Sequence, residues 1–268
     1  MSEDSVVRLR ESRLVVREGI AEFSHQCPST RNALGAALRE DYVELLDYID
    51  SRHDIDALIL TGSGGSFCSG ANLRSANGEG APVDVETLLM DIHAWLLRLR
   101  DLPMPVIAAV DGPAAGAGFS LALAADFVLA SSRASFCMSF AKIGLIPDLA
   151  ALYQLPRIVG LSLAKDIAMT ARRIGADEAR QLGIVHAVHG ADELVEAAWR
   201  FARRFKGAPR TATGIAKHLL NRSFETPYGE FVQREAQGQA VVAAEPYFRE
   251  AVAAFFSGKA ARFDWDKA

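Results

Sequence analysis

Two glycine-rich turns, each issuing from a short all-apolar run, constrain this chain more than any other feature. The first, Thr61-Gly62-Ser63-Gly64-Gly65-Ser66-Phe67-Cys68-Ser69-Gly70-Ala71-Asn72-Leu73, follows Ala57-Leu58-Ile59-Leu60. The second, Val110-Asp111-Gly112-Pro113-Ala114-Ala115-Gly116-Ala117-Gly118-Phe119, follows Pro105-Val106-Ile107-Ala108-Ala109. A turn this rich in glycine brings backbone N–H groups to a ligand with no side chain in the way. Two such turns converging on one point can hold an oxyanion between two N–H donors, which points to chemistry at a carbonyl. Either turn alone reads equally as a tight turn; the pair favours function. Neither is a nucleotide motif. No Gly-Lys-Ser/Thr closes the first, and Gly112, Gly116 and Gly118 miss the Gly-x-Gly-x-x-Gly spacing.

The surrounding pattern is layered α/β. Val6–Leu9, Arg13–Val16 and Ile20–Phe23 read as short strands of a meander. A helix is expected from about Arg31, capped by Ser29 or Thr30, with Leu34, Leu38, Leu45 and Ile49 as its apolar stripe. Strand 57–60 and the first turn follow, then a loop over Ser75–Pro82 and a helix over Val85–Leu102 that Pro103 and Pro105 stop. Strand 106–110 feeds the second turn and a short helix over 117–125, and strand 126–130 comes next. Strand, helix, strand, helix, strand argues for an α/β layer architecture. After Gly160 nearly everything reads as helix (161–170, 176–182, 192–205, 209–221 and 227–256), with Ile184–Val188 the one strand.

Bulk properties exclude several function classes. A length of 268 residues, half of them apolar, suits one large domain, or one domain with an appendage. The net charge of −4 gives no basic field for nucleic acid. Cys27, Cys68 and Cys137 are odd in number and far apart, which fits reduced thiols rather than a disulfide framework or a zinc site. The acidic start, Met1-Ser2-Glu3-Asp4-Ser5, is no signal peptide, and no apolar run reaches a membrane span, so a cytoplasmic protein with no membrane partner is expected.

The two turns also resemble signatures of the enoyl-CoA hydratase/isomerase (crotonase) family. Arg31-Asn32-Ala33-Leu34 is similar to the family's early Asn-Ala-Leu motif. Phe136, Lys142-Ile143-Gly144-Leu145-Ile146-Pro147-Asp148 and Leu155-Pro156-Arg157-Ile158-Val159-Gly160 continue the likeness in the family's order. The resemblance implies a ββα spiral of two stacked sheets over residues 1–207. It implies a helical trimerisation region over 208–268, assembling a homotrimer or a dimer of trimers. Val241, Val242, Tyr247, Phe248, Phe255 and Phe256 would supply the apolar interface, although a core would look the same. It also implies an acyl-CoA thioester substrate whose oxygen accepts from the N–H groups of Ala71 and Ala117. Ala117 opens a helix, where free N–H groups and the dipole favour negative charge. Arg31, Ala33, Ser69, Gly70, Asn72, Leu73, Arg74, Gly116, Phe140 and Phe263 complete the implied CoA and acyl contacts. No metal or redox cofactor is implied; coenzyme A enters as part of the substrate.

The sequence departs from the hydratases at their two glutamates, which would fall at Ser120 and Phe140. A phenyl ring moves no proton and a serine hydroxyl is a poor base near neutral pH. Asp148, in an apolar stretch, offers a single carboxylate instead, and in family members that carry Asp at this point it reaches the acyl pocket. Its other reading is an N-cap for the residues that follow. The expected reaction is therefore double-bond isomerisation of an enoyl-CoA through an enolate, with Asp148 shuttling the proton. The alternatives are hydration by another base, isomerisation of a phenylacetyl-CoA ring epoxide, and a non-catalytic CoA-binding protein. Ala150-Ala151 stands where the ring-epoxide isomerases have paired glycines. Glu86 and Asp91 are candidate second acids if their helix faces the pocket. Cys68 reads as a small filler rather than a nucleophile. His186 and His189 fall on opposite faces of a strand and do not suit a metal.

Overall fold

The computed structural model describes residues 5–73 and 84–265. Arg74 and the loop expected over Ser75–Pro82 lie outside the described residues. A seven-stranded sheet runs in the order β1 (Ser5–Arg8), β2 (Ser12–Arg17), β3 (Ile20–His25), β4 (Ala57–Gly62), β5 (Val106–Val110), β7 (Phe127–Ser131), β10 (Ala187–His189). The first two pairings are antiparallel and the rest parallel. A second sheet joins β6 (Pro113–Ala115), β8 (Ser135–Cys137) and β9 (Ile174–Gly175). Two sheets with helices interspersed along the chain agree with the α/β fold expected above.

The apolar runs at β4 and β5 reflect burial on both faces. Leu58 and Leu60 with Val106, Ala108 and Val110 face the larger core, among residues of α1 (Ala36–Asp50), α2 (Val85–Arg100) and α3 (Ala117–Leu123). Ile59, Ile107 and Ala109 face α7 (Leu194–Arg203) on the other side. That helix answers with Leu194, Ala197, Ala198, Phe201 and Ala202, all buried at the spacing of one apolar stripe. Each fully buried Leu or Ile in these layers is worth roughly 1.5–3 kcal/mol relative to exposure. Between them in sequence lie α4 (Ala151–Val159), α5 (Leu161–Thr170) and α6 (Ala176–Gln181).

Several expected boundaries move. The first helix begins at Ala36, with Gly35 before it, not near Arg31, and neither Ser29 nor Thr30 caps it. Arg31 and Asn32 are left-handed (φ 55° and 56°) because this segment is bonded into the first glycine turn. The expected helix 227–256 is two, α9 (Tyr228–Ala244) and α10 (Pro246–Phe256), after α8 (Arg210–Leu220). Pro246 disfavours helical backbone at Glu245, whose ψ is 147°. The strand expected at 184–188 shortens to Ala187–His189, because the N–H groups of Ile184 and Val185 both close onto the carbonyl of Ala179. No helix among the described residues is long and apolar enough to cross a membrane.

Candidate active site

Both glycine turns leave the C-terminal ends of parallel strands, β4 and β5, so they emerge side by side at one edge of the sheet. Their backbones interlock. The N–H groups of Phe67 and Cys68 both donate to the carbonyl of Pro113 (3.1 and 3.2 Å), and the Ala115 N–H donates to Cys68 O at 3.0 Å. A Cβ on Gly70 would lie 2.8 Å from Ala115 O and 3.5 Å from the Ala117 nitrogen. A Cβ on Gly118 would lie 2.1 Å from Cys68 O. Glycine is required at both places by close approach of one backbone to another. The result is that Gly70-Ala71 and Gly116-Ala117 sit against each other.

Ala117 is the first residue of α3, so its N–H has no partner within the helix. Ala71 forms an isolated parallel bridge with Leu34, whose N–H donates to Gly70 O at 2.8 Å. Among the described residues, neither the Ala71 nor the Ala117 N–H donates to another protein group. Two uncommitted donors on adjacent turns, one of them at a helix start, form a pair suited to an oxyanion.

The first turn is clamped from outside by Asn32, which the sequence placed in a motif without giving it a task. Its Nδ2 donates to Ser63 O (2.9 Å) and Ser66 O (2.7 Å), and its Oδ1 accepts from the Cys27 N–H (2.9 Å). The side chain is fully buried, and asparagine tolerates the left-handed backbone found there. Ser69 adds two bonds to the same segment, N–H to Arg31 O (3.0 Å) and Oγ to Thr30 O (2.9 Å), while Ala33 N–H reaches Thr30 Oγ1 (3.3 Å). Asn32→Ala should destabilise the protein by about 2–4 kcal/mol, because three bonds go and their backbone partners stay buried. Urea denaturation measures this, and a loss below 1 kcal/mol would show that the clamp is dispensable.

A second support was not signalled by the sequence. His25, at the end of β3, accepts from Tyr42 Oη at Nε2 (2.8 Å) and donates from Nδ1 to Phe67 O (3.0 Å). Burial pushes its pKa down to about 4, so the ring is neutral at pH 7 and keeps this tautomer. Tyr42 in turn stacks on Trp95 of α2 at 4.7 Å.

Ser120 and Phe140, at the positions where the resemblance places the hydratase glutamates, carry no carboxylate. Ser120 is fully buried one turn into α3, and its Oγ donates back to Gly116 O at 3.3 Å. Phe140 is buried, with its Cζ 3.9 Å from where a Cβ of Gly116 would sit, so its ring walls the second turn. Gly116 N–H is committed to Cys137 O at 2.9 Å.

Asp148 precedes α4, which packs on α3, the helix that carries Ala117 at its start. Its carboxylate is half-buried, and among the described residues Oδ1 has no hydrogen-bond partner. Burial raises its pKa to about 6. The N-cap reading fails. The residue before the helix is Ala150, and no side chain caps α4.

Other candidates separate from this cluster. Glu86 and Asp91 are exposed, whereas α2 buries Ile92, Trp95, Leu96 and Leu99, so neither acid is turned inward. Leu73 and Arg31 are exposed at the rim, and Asn72 is half-buried beside Gly35. Phe263 is half-buried in the tail that ends on α7, where Trp265 packs on Phe201 and Phe205. The Cys68 thiol is buried and pushed up to about 11, which leaves it un-ionised and inert at neutral pH. His186 packs its ring on Phe127 and Phe201, and no metal-ligating cluster occurs among the described residues.

Comparison with known proteins agrees with the geometry. Residues 16–266 match the family model for enoyl-CoA hydratase/isomerase. A probable enoyl-CoA hydratase of Rhodobacter capsulatus is 37% identical over 94% of this chain and 96% of its own length. The 1,2-epoxyphenylacetyl-CoA isomerase of Escherichia coli is 31% identical over 92% of this chain and 96% of its own. The crystal structure of an enoyl-CoA hydratase/isomerase from Cupriavidus metallidurans superposes with a TM-score of 0.89 at 36% identity, covering 96% of this chain and 97% of that one. With paired N–H donors on interlocked turns and matches spanning nearly its whole length, the chain belongs to the enoyl-CoA hydratase/isomerase family, the crotonases.

Proposed function

We propose that this enzyme isomerises the double bond of an enoyl-CoA thioester, with Asp148 as the only proton carrier. The observation that carries the reading is the buried Oδ1 of Asp148, partnerless among the described residues, in a chain with Ser120 and Phe140 where the resemblance places the hydratase glutamates. The thioester oxygen accepts from the N–H groups of Ala71 and Ala117. Asp148 removes a proton from the carbon beside the thioester, and the electron pair delocalises onto the oxygen held by those donors. The protonated Asp148 then returns the proton to the far end of the allylic system, moving the double bond into conjugation. No atom is gained or lost. A carboxyl whose pKa is about 6 suits both halves, since it accepts a proton near neutral pH and releases it readily.

The deciding experiment offers purified protein a 3-enoyl-CoA and a 2-enoyl-CoA separately and identifies products by mass. The 3-enoyl substrate should convert at unchanged mass. The rate should rise with pH through about 6, as Asp148 ionises, and level off above. A mass gain of one water from the 2-enoyl substrate would overturn the reading in favour of hydration. CoA binding without turnover would favour a non-catalytic role. Ring-epoxide isomerisation stays as a second reading because the relative in Escherichia coli carries that name. Assembly through residues 208–268 belongs to the same proposal: Phe224, Tyr228, Phe255 and Phe256 are 74–83% exposed on this region, a surface suited to cover by further copies in a homotrimer.

A further inference from the structure

Leu149 and Ala150, directly after Asp148, both have positive φ (49° and 59°). With the Ala151 N–H donating to the Asp148 carbonyl at 3.0 Å, residues 148–151 close a mirror-image (type I′) β-turn. Such turns take Asn-Gly or Gly-Gly, because an L-residue with a Cβ is disfavoured in the left-handed region. A Leu-Ala pair in this geometry persists only where its surroundings hold it. Here Leu149 and Ala151 are both buried at 1% exposure, pinning the turn from both sides.

The turn settles which acceptor serves the helix start. An aspartate just before a helix ordinarily accepts from the first free N–H groups with its side chain, and that bond holds a carboxylate well ionised. In this chain the main-chain carbonyl of Asp148 takes the Ala151 N–H instead, and Oδ1 stays without a partner among the described residues. We propose that Leu149–Ala150 is a positioning device: its mirror-image turn diverts the helix's N–H from the Asp148 carboxylate and so keeps Oδ1 of that carboxylate open to substrate. This rests on the reading of Asp148 as the proton carrier.

Two substitutions at Ala150 pull the backbone in opposite directions. Glycine accepts positive φ, so Ala150→Gly should keep the turn, keep kcat within about twofold, and hold or raise the thermal midpoint. Valine, branched at Cβ, resists it. Ala150 borders a cavity of about 300 Å³ with Leu96, Leu97, Ala124 and Tyr153, so valine's extra methyl groups meet space and its effect comes through the backbone. Ala150→Val should let the Asp148 carboxylate cap α4. It should lower kcat at least tenfold with KM within about threefold, and move the acid limb of the pH profile down by about one unit.

The Asp148 carboxyl titration, followed by ¹³C NMR in the unliganded protein, should show the same downward shift in Ala150→Val and none in Ala150→Gly. A folded Ala150→Val with an unmoved titration, or an Ala150→Gly whose titration falls or whose midpoint drops, would overturn the proposal. If Ala150→Val does not fold, the Ala150→Gly result decides alone. Asp148→Asn run alongside separates the two ideas. Activity retained there removes the isomerase reading while the titration still tests the turn. Activity lost there with an unmoved titration in Ala150→Val removes only the turn.

Discussion

Asp148→Asn should abolish isomerisation and at the same time make the protein more stable at neutral pH. Asparagine keeps the shape of the side chain but accepts no proton, and loss of a positioned acid–base group typically costs about 10²–10⁴-fold in rate. The stability gain follows from the raised pKa. In the unfolded chain the carboxyl titrates near its ordinary value of 3.8; in the fold it titrates near 6. The folded state therefore binds the proton more tightly. Stability linked to this group is present in full below about pH 3.8 and is lost as pH rises through about 6. Above pH 6 the ionised carboxylate, half-buried and with one oxygen unpartnered among the described residues, weakens the fold. The full shift corresponds to roughly 3 kcal/mol, and solvent screening at a half-buried group reduces that to about 1–2 kcal/mol. For a chain of this size that is about 2–6 °C in thermal midpoint. Thermal melts at pH 7.5 and pH 4 should show the variant ahead at the higher pH and level with the parent at the lower. Equal melting at both pH values, or retained turnover, would contradict the assignment. A residue that costs stability and is needed for rate is what a functional carboxylate looks like.

The sequence disclosed this site unevenly, for physical reasons. Strands β4 and β5 and the two turns were legible because continuous apolar runs ending in clustered glycine have few structural meanings. Asp148 was legible as a titratable group in an apolar stretch, but its conformation was not. Pro-Asp before a helical pattern reads as an ordinary cap, and nothing in Leu149-Ala150 announces a left-handed pair, because tertiary packing imposes it against local preference. The start of α1 was misplaced for a related reason. Local signals at Ser29 and Thr30 favour a cap, yet Asn32 and the Leu34–Gly70 bond draw the segment into the neighbouring turn. The His25–Tyr42 pair joins residues 17 apart through side-chain geometry that no periodicity encodes. Local chemistry was readable, and contacts made across the fold were not.

Gly118→Ala should separate the two N–H donors and cost at least 10²-fold in kcat/KM, although the added methyl group touches no substrate. At Gly118 a Cβ would lie 2.1 Å from Cys68 O, 2.7 Å from Cys68 C and 2.8 Å from Cys68 Cβ. These are backbone and root atoms of a residue buried in the core, so no flexible side chain can swing aside. Helix α3 must move off the first turn by about an ångström, carrying the Ala117 N–H away from that of Ala71. Losing one donor of such a pair typically costs about 2.7–4 kcal/mol of transition-state stabilisation. Overpacking of this kind destabilises a fold by about 1–3 kcal/mol. The two effects are separable. Gly175→Ala, at the end of β9 with nothing among the described residues within 4 Å of the new methyl group, serves as the control and should leave turnover unchanged. A folded Gly118→Ala protein should bind a substrate-sized CoA thioester within a few-fold of the parent but lose affinity for an enolate-like analogue in step with kcat/KM. That pattern follows only if the donors act on charge that develops during the reaction. Equal loss of affinity for both ligands would mean that the turns serve as a binding surface alone, and unchanged kinetics in a folded variant would mean that the interlock of Gly118 with Cys68 does not position the Ala117 donor.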